Sequence, residues 1–155
     1  LDAATLNQFS HRLEHARPPV YRYRYSEKQP VRDAAVLVPL CTVDGQPSVL
    51  FTLRSAELNS HRGEISFPGG KRDPTDHSLT DTALRETREE IGLTAEQIEI
   101  LGMHHTLPNK TFTLRVHPFV GCIRQPFGAA SAPVSALRFA RAEVAAVFAV
   151  PFREL

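Results

Sequence analysis

The stretch that decides the fold of this chain is Gly69-Gly70 followed by Arg85-Glu86-Thr87-Arg88-Glu89-Glu90-Ile91-Gly92-Leu93. In a helix, residues three or four positions apart are neighbours, so Glu86, Glu89 and Glu90 are expected to share one face. Carboxylates beside a glycine turn are suited to holding Mg²⁺ against a diphosphate. The stretch therefore indicates an enzyme, with a solvated charged helix face as the alternative.

The predicted helix has recognisable ends. Ser78 is the expected N-cap, and Asp81, three residues later, gives an acidic variant of the capping box. Gly92 is a natural C′ residue, because glycine adopts the left-handed conformation that ends many helices. The packing face is predicted to lie away from the glutamates and carries Leu84, Thr87 and Ile91.

Strand-like segments lie on both sides of this helix. The signal Asp44-Gly45 separates two apolar segments and predicts a hairpin of residues 34–41 and 48–53. Pro68 and the two glycines after it are expected to end a further strand abruptly. The remaining strands are predicted at 63–67, 98–107, 112–123 and 143–151. Leu6, Phe9 and Leu13 predict a short helix near the start of the chain. This order predicts an α/β or α+β fold, with a mixed sheet flanked by helices.

The composition limits what the chain can do. With 155 residues, 42% of them hydrophobic, the sequence predicts one globular domain. A net charge of +1 provides no general attraction to nucleic acid or to an anionic membrane. No apolar run reaches the ~20 residues that span a bilayer. Cys41 and Cys122 lie in apolar runs and are expected to be buried reduced thiols, which suits an intracellular compartment; a disulfide between neighbouring strands is the alternative.

The decisive stretch resembles the Nudix box, in which Gly, five residues, Glu and seven further residues precede Arg-Glu-apolar-x-Glu-Glu-x-Gly-apolar. The family's first Glu falls on His77, with Asp76 one residue before it, and the spacing from the glycine to the arginine is one residue longer than the common form. Because that Glu mainly orients the arginine in the family, Asp76 is the candidate substitute. Thr87 takes the apolar position. The matching positions are Gly70, Arg85, Glu86, Glu89, Glu90, Gly92 and Leu93.

The preceding segment is similar to the signature of one Nudix subgroup, the coenzyme A pyrophosphatases, in which an Arg usually stands at Asn59. The similar segments are Leu50-Phe51-Thr52-Leu53-Arg54-Ser55, Gly63 and Phe67-Pro68-Gly69-Gly70, with Glu143-Val144 and 147–151 further on. The resemblance covers about residues 33–153. It implies a lead-in at 1–30 and a Nudix hydrolase domain at 31–155, with a mixed sheet sandwiched between helices. The relatives continue with a further strand and a closing helix, which leaves two alternatives open: a tail outside this sequence, or a shortened protein.

The resemblance also implies roles for individual residues. Glu86 and Glu90 would be the primary ligands of Mg²⁺ or Mn²⁺, and the Gly69 carbonyl a backbone ligand. Glu89 would be a further ligand or would hold the attacking water. Arg85 would position the carboxylates, by pairing with Glu89 or with Asp76.

Other residues are candidates for substrate binding or proton transfer. Arg54 and Arg62 are candidate phosphate binders, because a guanidinium group matches phosphate geometry, and Gly70 is a third substrate-binding candidate. Glu143 is a candidate additional base or metal ligand, against the alternative of a strand-edge glutamate without a catalytic role.

The implied reaction is hydrolysis of the diphosphate of coenzyme A, or of its acyl or oxidised forms, to 3′,5′-ADP and 4′-phosphopantetheine or its derivative. Two alternatives stay open: a pyrophosphatase for oxidised nucleoside triphosphates or NADH, and a degenerate Nudix domain that binds without catalysis. The expected partner is a small-molecule diphosphate and not nucleic acid, and the sequence leaves the oligomeric state open. The expected compartment is mitochondrial or peroxisomal for a eukaryotic protein and cytoplasmic for a bacterial one.

Overall fold

The structure, a computed structural model, describes residues 1–17, 23–57 and 62–155 of the chain. Among these residues it contains helices α1 (Ala3–Glu14) and α2 (Leu79–Ile91) and three short 3₁₀ turns. The strands are β1 (Arg32–Val43), β2 (Gln46–Arg54), β3 (Ile65–Ser66), β4 (Gly69–Lys71), β5 (Ile98–Met103), β6 (Leu107–Pro108), β7 (Leu114–Ile123) and β8 (Val144–Pro151). Both predicted helices are therefore confirmed.

Strand β1 lies at the centre of a mixed sheet. One edge of β1 pairs antiparallel with β2 and, nearer its start, with β4. Its other edge pairs with β7 in parallel, and β7 then pairs with β5 and β6. The predicted hairpin is confirmed: Asp44 and Gly45 both have positive φ, 46° and 77°, as a type I′ turn requires.

The two faces of β1 pack against different helices, because side chains alternate along a strand. Leu37 and Cys41 belong to the core that includes Ile91 of α2. Leu40 belongs to a second core, which Phe9 of α1 covers. The sheet thus lies between the two helices, and the predicted mixed sheet between helices is confirmed.

Cys41 and Cys122 are free and buried, which confirms the expectation of unpaired thiols. They belong to different cores, on opposite faces of the sheet. Burial raises the pKa of the Cys41 thiol to about 12, so this thiol stays protonated at neutral pH.

Several predicted strand ends shift by one or two residues, and three differences have a structural explanation or bear on the site. Gly69 and Gly70 do not form a turn that ends a strand; they lie in β4, paired with Val36 and Ala35. The predicted strand 98–107 is broken after Met103, and Leu107 begins a separate strand. The strand predicted at 112–123 begins two residues later, at Leu114.

The late start of β7 has a backbone cause. Phe112 has φ 56°, a left-handed conformation that no regular strand accommodates. The division into a lead-in at 1–30 and a domain at 31–155 stays a prediction. In the described part of the chain, no helix has the length and apolar character needed to cross a membrane.

Candidate active site

Helix α2 carries the glutamates, and its ends are fixed as predicted. Ser78 Oγ accepts a hydrogen bond from the Asp81 amide at 3.0 Å, and Gly92 ends the helix in the left-handed conformation with φ 77°. Thr87 is fully buried, and its hydroxyl donates to the Ala83 carbonyl at 2.7 Å. The threonine in the apolar position is therefore satisfied within the helix, and the packing face is kept.

Asp76 anchors Arg85. The Nε and Nη2 groups of Arg85 donate to Oδ1 and Oδ2 of Asp76 at 2.9 and 3.0 Å, a bidentate pair. Asp76 is buried and also accepts from the Thr82 hydroxyl and the Asp73 amide, at 2.8 and 2.9 Å. These hydrogen bonds, of which those from Arg85 have the largest effect, hold the pKa of Asp76 well below its usual range. His77, at the aligned position of the family glutamate, is exposed.

The remaining donor groups of Arg85 reach the glutamates and the sheet. Nη1 donates to Glu86 Oε1 at 2.9 Å and to Glu89 Oε2 at 3.2 Å, and Nη2 also donates to the Lys71 carbonyl at 3.2 Å. Arg85 pairs with Glu89 as well as with Asp76, so both predicted partners are present. The arginine thereby links α2 to the end of β4.

Glu86 packs directly on the backbone of Gly70. A side chain at position 70 would overlap the Glu86 carboxylate, so this approach needs glycine. Burial raises the pKa of Glu86, and the charge and hydrogen bond of Arg85 oppose that rise. The glycine is thus required by a close contact to helix α2.

Glu90 is the most deeply buried of the glutamates on α2. Its side chain is 5% exposed, and Oε2 accepts a hydrogen bond from the Gly69 amide at 3.2 Å. Burial raises the pKa of Glu90 to about 7; the Gly69 bond lowers it, and the charge of Glu86 raises it further. Glu86 and Glu90 therefore meet at Gly69–Gly70, whereas the side chain of Glu89 is 54% exposed.

Arg54 lies beside Glu90 at the end of β2. Its Nη1 is 4.0 Å from Glu90 Oε1, and a bulge in the pairing of β2 with β8 falls between Leu53 and Arg54. Such bulges redirect side chains. Within the described residues, Arg54 Nε is buried and has no hydrogen-bond partner. A buried donor of this kind is available to a ligand.

Glu143 comes to the same site from the segment before β8. Its carbonyl accepts from the Ser55 amide at 2.8 Å, and the Ala140 amide donates to the Glu90 carbonyl at 2.9 Å. The charge of Glu143 contributes to the raised pKa values of both Glu86 and Glu90. The segment is thus fastened to β2 and to the end of α2.

A groove of about 370 Å³ adjoins Gly69 and Gly70. Arg54, a candidate phosphate binder, lines it, while Arg62 is exposed and, among the described residues, is not part of the lining. Asn59 lies outside the described residues. The lining is formed by Ala34, Val36, Arg54, Glu64, Ser66, Phe67, Gly69, Gly70, Lys71, Leu114 and Val116.

Lys71 and Glu64 were missed as groove residues by sequence reasoning. The position of Lys71 directly after the glycines was the available signal, because β4 carries it into the wall. Glu64 gave no signal, since a single glutamate before a short strand is usually solvated. The groove thus has cationic and acidic positions close to the carboxylates.

The oxygen donors fit a hard divalent cation. Within residues 1–17, 23–57 and 62–155, no three His, Cys, Asp or Glu side chains form a ready group of metal ligands. Mg²⁺ commonly takes only one or two carboxylates, with phosphate oxygens and waters completing its shell. Glu86 and Glu90 supply that number, and a cation would offset the burial and, to a smaller extent, the repulsion from Glu86 that raise the pKa of Glu90.

Comparisons with known proteins identify the family of this chain. The NUDIX domain profile matches residues 31–155, so the chain belongs to the Nudix family. Nudix hydrolases act on phosphoric anhydrides and generally need divalent metal ions.

Among similar sequences are two animal proteins and one bacterial protein. The human mitochondrial coenzyme A diphosphatase NUDT8 is 45% identical over 125 residues, which are 79% of this chain and 49% of that protein. Nudix hydrolase 3 of Caenorhabditis elegans is 46% identical over 121 residues, 78% of this chain and 48% of that protein. NudL of Photorhabdus laumondii, described as an uncharacterized Nudix hydrolase, is 37% identical over 97% of this chain and 73% of that protein. The chain thus spans about half the length of the two animal relatives.

Solved structures support the fold. The Nudix hydrolase RenU of M. smegmatis superposes with a TM-score of 0.60 at 21% identity, covering 82% of this chain and 77% of that chain. The NUDIX domain of Shewanella oneidensis NrtR, solved with ADP ribose, gives 0.58 at 19% identity and covers 99% of this chain and 85% of that chain. At these identities the likeness concerns the fold alone.

Proposed function

We propose that the protein hydrolyses the diphosphate of coenzyme A, or of its acyl or oxidised derivatives, to 3′,5′-ADP and 4′-phosphopantetheine or its derivative. The observation that carries the proposal is the meeting of Glu86 and Glu90 at Gly69–Gly70, beside a groove that Arg54 lines. The similarity to a protein named mitochondrial coenzyme A diphosphatase supports this substrate among the diphosphates that such a site accommodates.

In this proposal Glu86, Glu90 and the Gly69 carbonyl hold Mg²⁺ or Mn²⁺, and Glu89 is a further ligand or holds the attacking water. A cation held there would neutralise charge on the phosphate oxygens and lower the pKa of the water bound to it. Glu90 is suited to a ligand role because its carboxylate is buried and accepts only one hydrogen bond among the described residues. A carboxylate must lose its proton to bind a cation, and Glu90 can do so at neutral pH.

The chain's own groups orient the reactants. Arg85 holds the carboxylates in place, because its guanidinium group is itself fixed by two hydrogen bonds to Asp76. Arg54 directs its buried Nε toward an anionic oxygen and binds the diphosphate, with Arg62 as a further candidate and Gly70 providing close approach. Glu143 is the candidate base that takes the proton of water as its oxygen joins phosphorus and the bridging P–O bond breaks.

The degenerate, non-catalytic alternative loses one of its supports. His77 stands where the family has glutamate, and loss of that glutamate favours a domain that binds without catalysis. The bidentate pair of Asp76 with Arg85 supplies the missing anchor from the neighbouring residue. We therefore favour catalysis over binding alone.

The compartment proposed follows from the relatives. A eukaryotic protein is proposed to be mitochondrial or peroxisomal, and a bacterial one cytoplasmic. The support is the human relative named as mitochondrial and the bacterial NudL proteins.

One product assay tests the proposed function. The purified chain is incubated with Mg²⁺ and, separately, with coenzyme A, NADH and 8-oxo-dGTP, and the products are separated by chromatography. Release of 3′,5′-ADP from coenzyme A, at a kcat/KM above those for the other two, is expected. Preferred cleavage of NADH or 8-oxo-dGTP would instead indicate a pyrophosphatase for oxidised nucleoside triphosphates or NADH. Absence of turnover with all three substrates would favour a degenerate Nudix domain that binds without catalysis.

A further inference from the structure

An ion pair joins the two sides of the groove. Lys110 Nζ lies 3.1 Å from Glu64 Oε1, and Glu64 lines the groove. Lys110 belongs to the turn between β6 and β7, and the first residues of β7, Leu114 and Val116, line the opposite wall. The pair thus connects the segment before β3 with the turn that leads into β7.

The turn that carries Lys110 is held rigidly. Asn109 Oδ1 accepts from the amides of Thr113 and Leu114, both at 2.9 Å, and its Nδ2 donates to the hydroxyls of Thr111 and Thr113. Phe112, in the left-handed conformation with φ 56°, donates its amide to the Asn109 carbonyl at 3.0 Å. Strained turns of this kind persist where the surrounding bonds over-determine them, and they are common at ligand clamps.

The charges make the ion pair easy to exchange. The side chains of Lys110 and Glu64 are 78% and 46% exposed, and ion pairs that are exposed to this degree contribute little to stability. Glu64 is an acid in the wall of a groove whose other charged lining residues are Arg54 and Lys71. A phosphomonoester offers Lys110 a charge near −2 and three acceptor oxygens, more than the single charge of Glu64.

The backbone permits the exchange without rearranging the sheet. The Glu64 carbonyl accepts a hydrogen bond from the Arg54 amide at 3.0 Å, which ties this residue to β2. Rotation of the Glu64 side chain away from Lys110 therefore leaves the backbone in place. Lys110 then stands free on a fixed turn at the rim of the groove.

We propose that Lys110 is a specificity-determining residue. Its ammonium group exchanges its ion pair with Glu64 for a phosphomonoester on the substrate, separate from the diphosphate that is cleaved. The inference rests on the proposed function, since it concerns the same groove. It predicts a preference for nucleotides that carry a 3′-phosphate as well as a 5′-phosphate. Glu64 acts as the counterion of Lys110 when that phosphate is absent.

Binding of two product-sized probes tests this without turnover. Calorimetry compares 3′,5′-ADP with 5′-AMP for the wild-type chain, Lys110→Met, Lys110→Arg, Glu64→Gln and the matched surface control Lys28→Met. We expect the wild type to bind 3′,5′-ADP about tenfold more tightly than 5′-AMP, as one charge-assisted contact provides. Lys110→Met should abolish that preference, whereas Lys110→Arg and Lys28→Met should retain it. Glu64→Gln should strengthen binding of 3′,5′-ADP only.

The results separate this inference from the proposed function. Equal affinity of the wild type for the two probes, or an unchanged preference in Lys110→Met, overturns the role of Lys110 even if coenzyme A is cleaved. Loss of coenzyme A cleavage in the wild type with the preference intact contradicts the proposed reaction and supports the phosphate site. Thermal unfolding of each variant checks that binding differences do not arise from loss of the fold.

Discussion

Arg85 and Asp76 form a bidentate pair, with Nε–Oδ1 and Nη2–Oδ2 distances of 2.9 and 3.0 Å. The same guanidinium reaches Glu86 and Glu89, so the orientation of the acidic face of α2 depends on an aspartate in the preceding loop. Asp76 is buried and accepts two further hydrogen bonds, which leaves it little freedom to move.

Replacing Asp76 with Asn removes the charge that Arg85 needs while keeping the size of the side chain. We expect Asp76→Asn to reduce the free energy of unfolding by about 1–3 kcal/mol, because it breaks a largely buried pair. His77→Ala should change it by less than about 0.5 kcal/mol, since His77 is exposed. Urea denaturation of both variants measures this; a larger loss in His77→Ala than in Asp76→Asn would reject Asp76 as the anchor.

Replacing Gly70 with Ala should displace Glu86. An added methyl group would overlap the Glu86 carboxylate, although the backbone conformation of residue 70 does not itself require glycine. We expect Mn²⁺ affinity, measured by calorimetry, to fall about tenfold or more, because a ligand is moved from its position. Combining Gly70→Ala with Glu86→Asp shortens the overlapping side chain and should recover part of the affinity lost by Gly70→Ala. Unchanged Mn²⁺ affinity in Gly70→Ala would contradict a metal site at this contact.

The raised pKa of Glu90 predicts a pH dependence of stability in the absence of metal. The ordinary value is 4.5 and the folded value about 7, so between these values the folded chain holds a proton that the unfolded chain has lost. The contribution of Glu90 is complete below pH 4.5 and is lost as the pH rises through 7. With a chelator present, the wild-type Tm should fall relative to that of Glu90→Gln by about 5–10 °C between pH 5 and 8.

Metal provides the matching control for that titration. Adding Mg²⁺ at pH 8 should raise the wild-type Tm, since ligand that binds only the folded state stabilises it. The Glu90→Gln Tm should respond much less. Parallel Tm curves for the two proteins across the pH range would show that Glu90 does not titrate as its burial predicts.

Arg54→Lys tests the unpartnered donor near Glu90. Within the described residues Arg54 Nε has no partner, and lysine carries the charge without the planar donor pair. We expect the KM for coenzyme A to rise about tenfold with little change in Tm. Arg141→Lys, at an exposed position, is the control and should leave KM unchanged. Equal KM values for Arg54→Lys and the wild type would remove Arg54 from the phosphate site.

Features with local causes could be predicted from the sequence. The ends of α2 follow from Ser78 and Gly92, and the hairpin follows from Asp44-Gly45, because each signal acts within a few residues. The burial of Thr87 on the packing face followed from helical periodicity.

Features that depend on distant pairing could not be predicted. Strand β4 forms because Gly69 and Gly70 pair with β1, although glycine has a low preference for strands. The choice of Asp76 over His77 depends on how the loop turns back, with the Asp73 amide bonded to Asp76. Glu64 and Lys110 lie far apart in sequence and meet only when the sheet is assembled.

The central claim is that Glu90 holds the cation used in cleavage, and the rate of coenzyme A hydrolysis by Glu90→Gln tests it most directly. The amide keeps the shape of the side chain, and its oxygen can still accept from the Gly69 amide, so the Tm should show that the fold remains. With Mg²⁺ present, release of 3′,5′-ADP should fall at least about a hundredfold relative to the wild type. Retention of most of the wild-type rate in the folded variant would contradict the account.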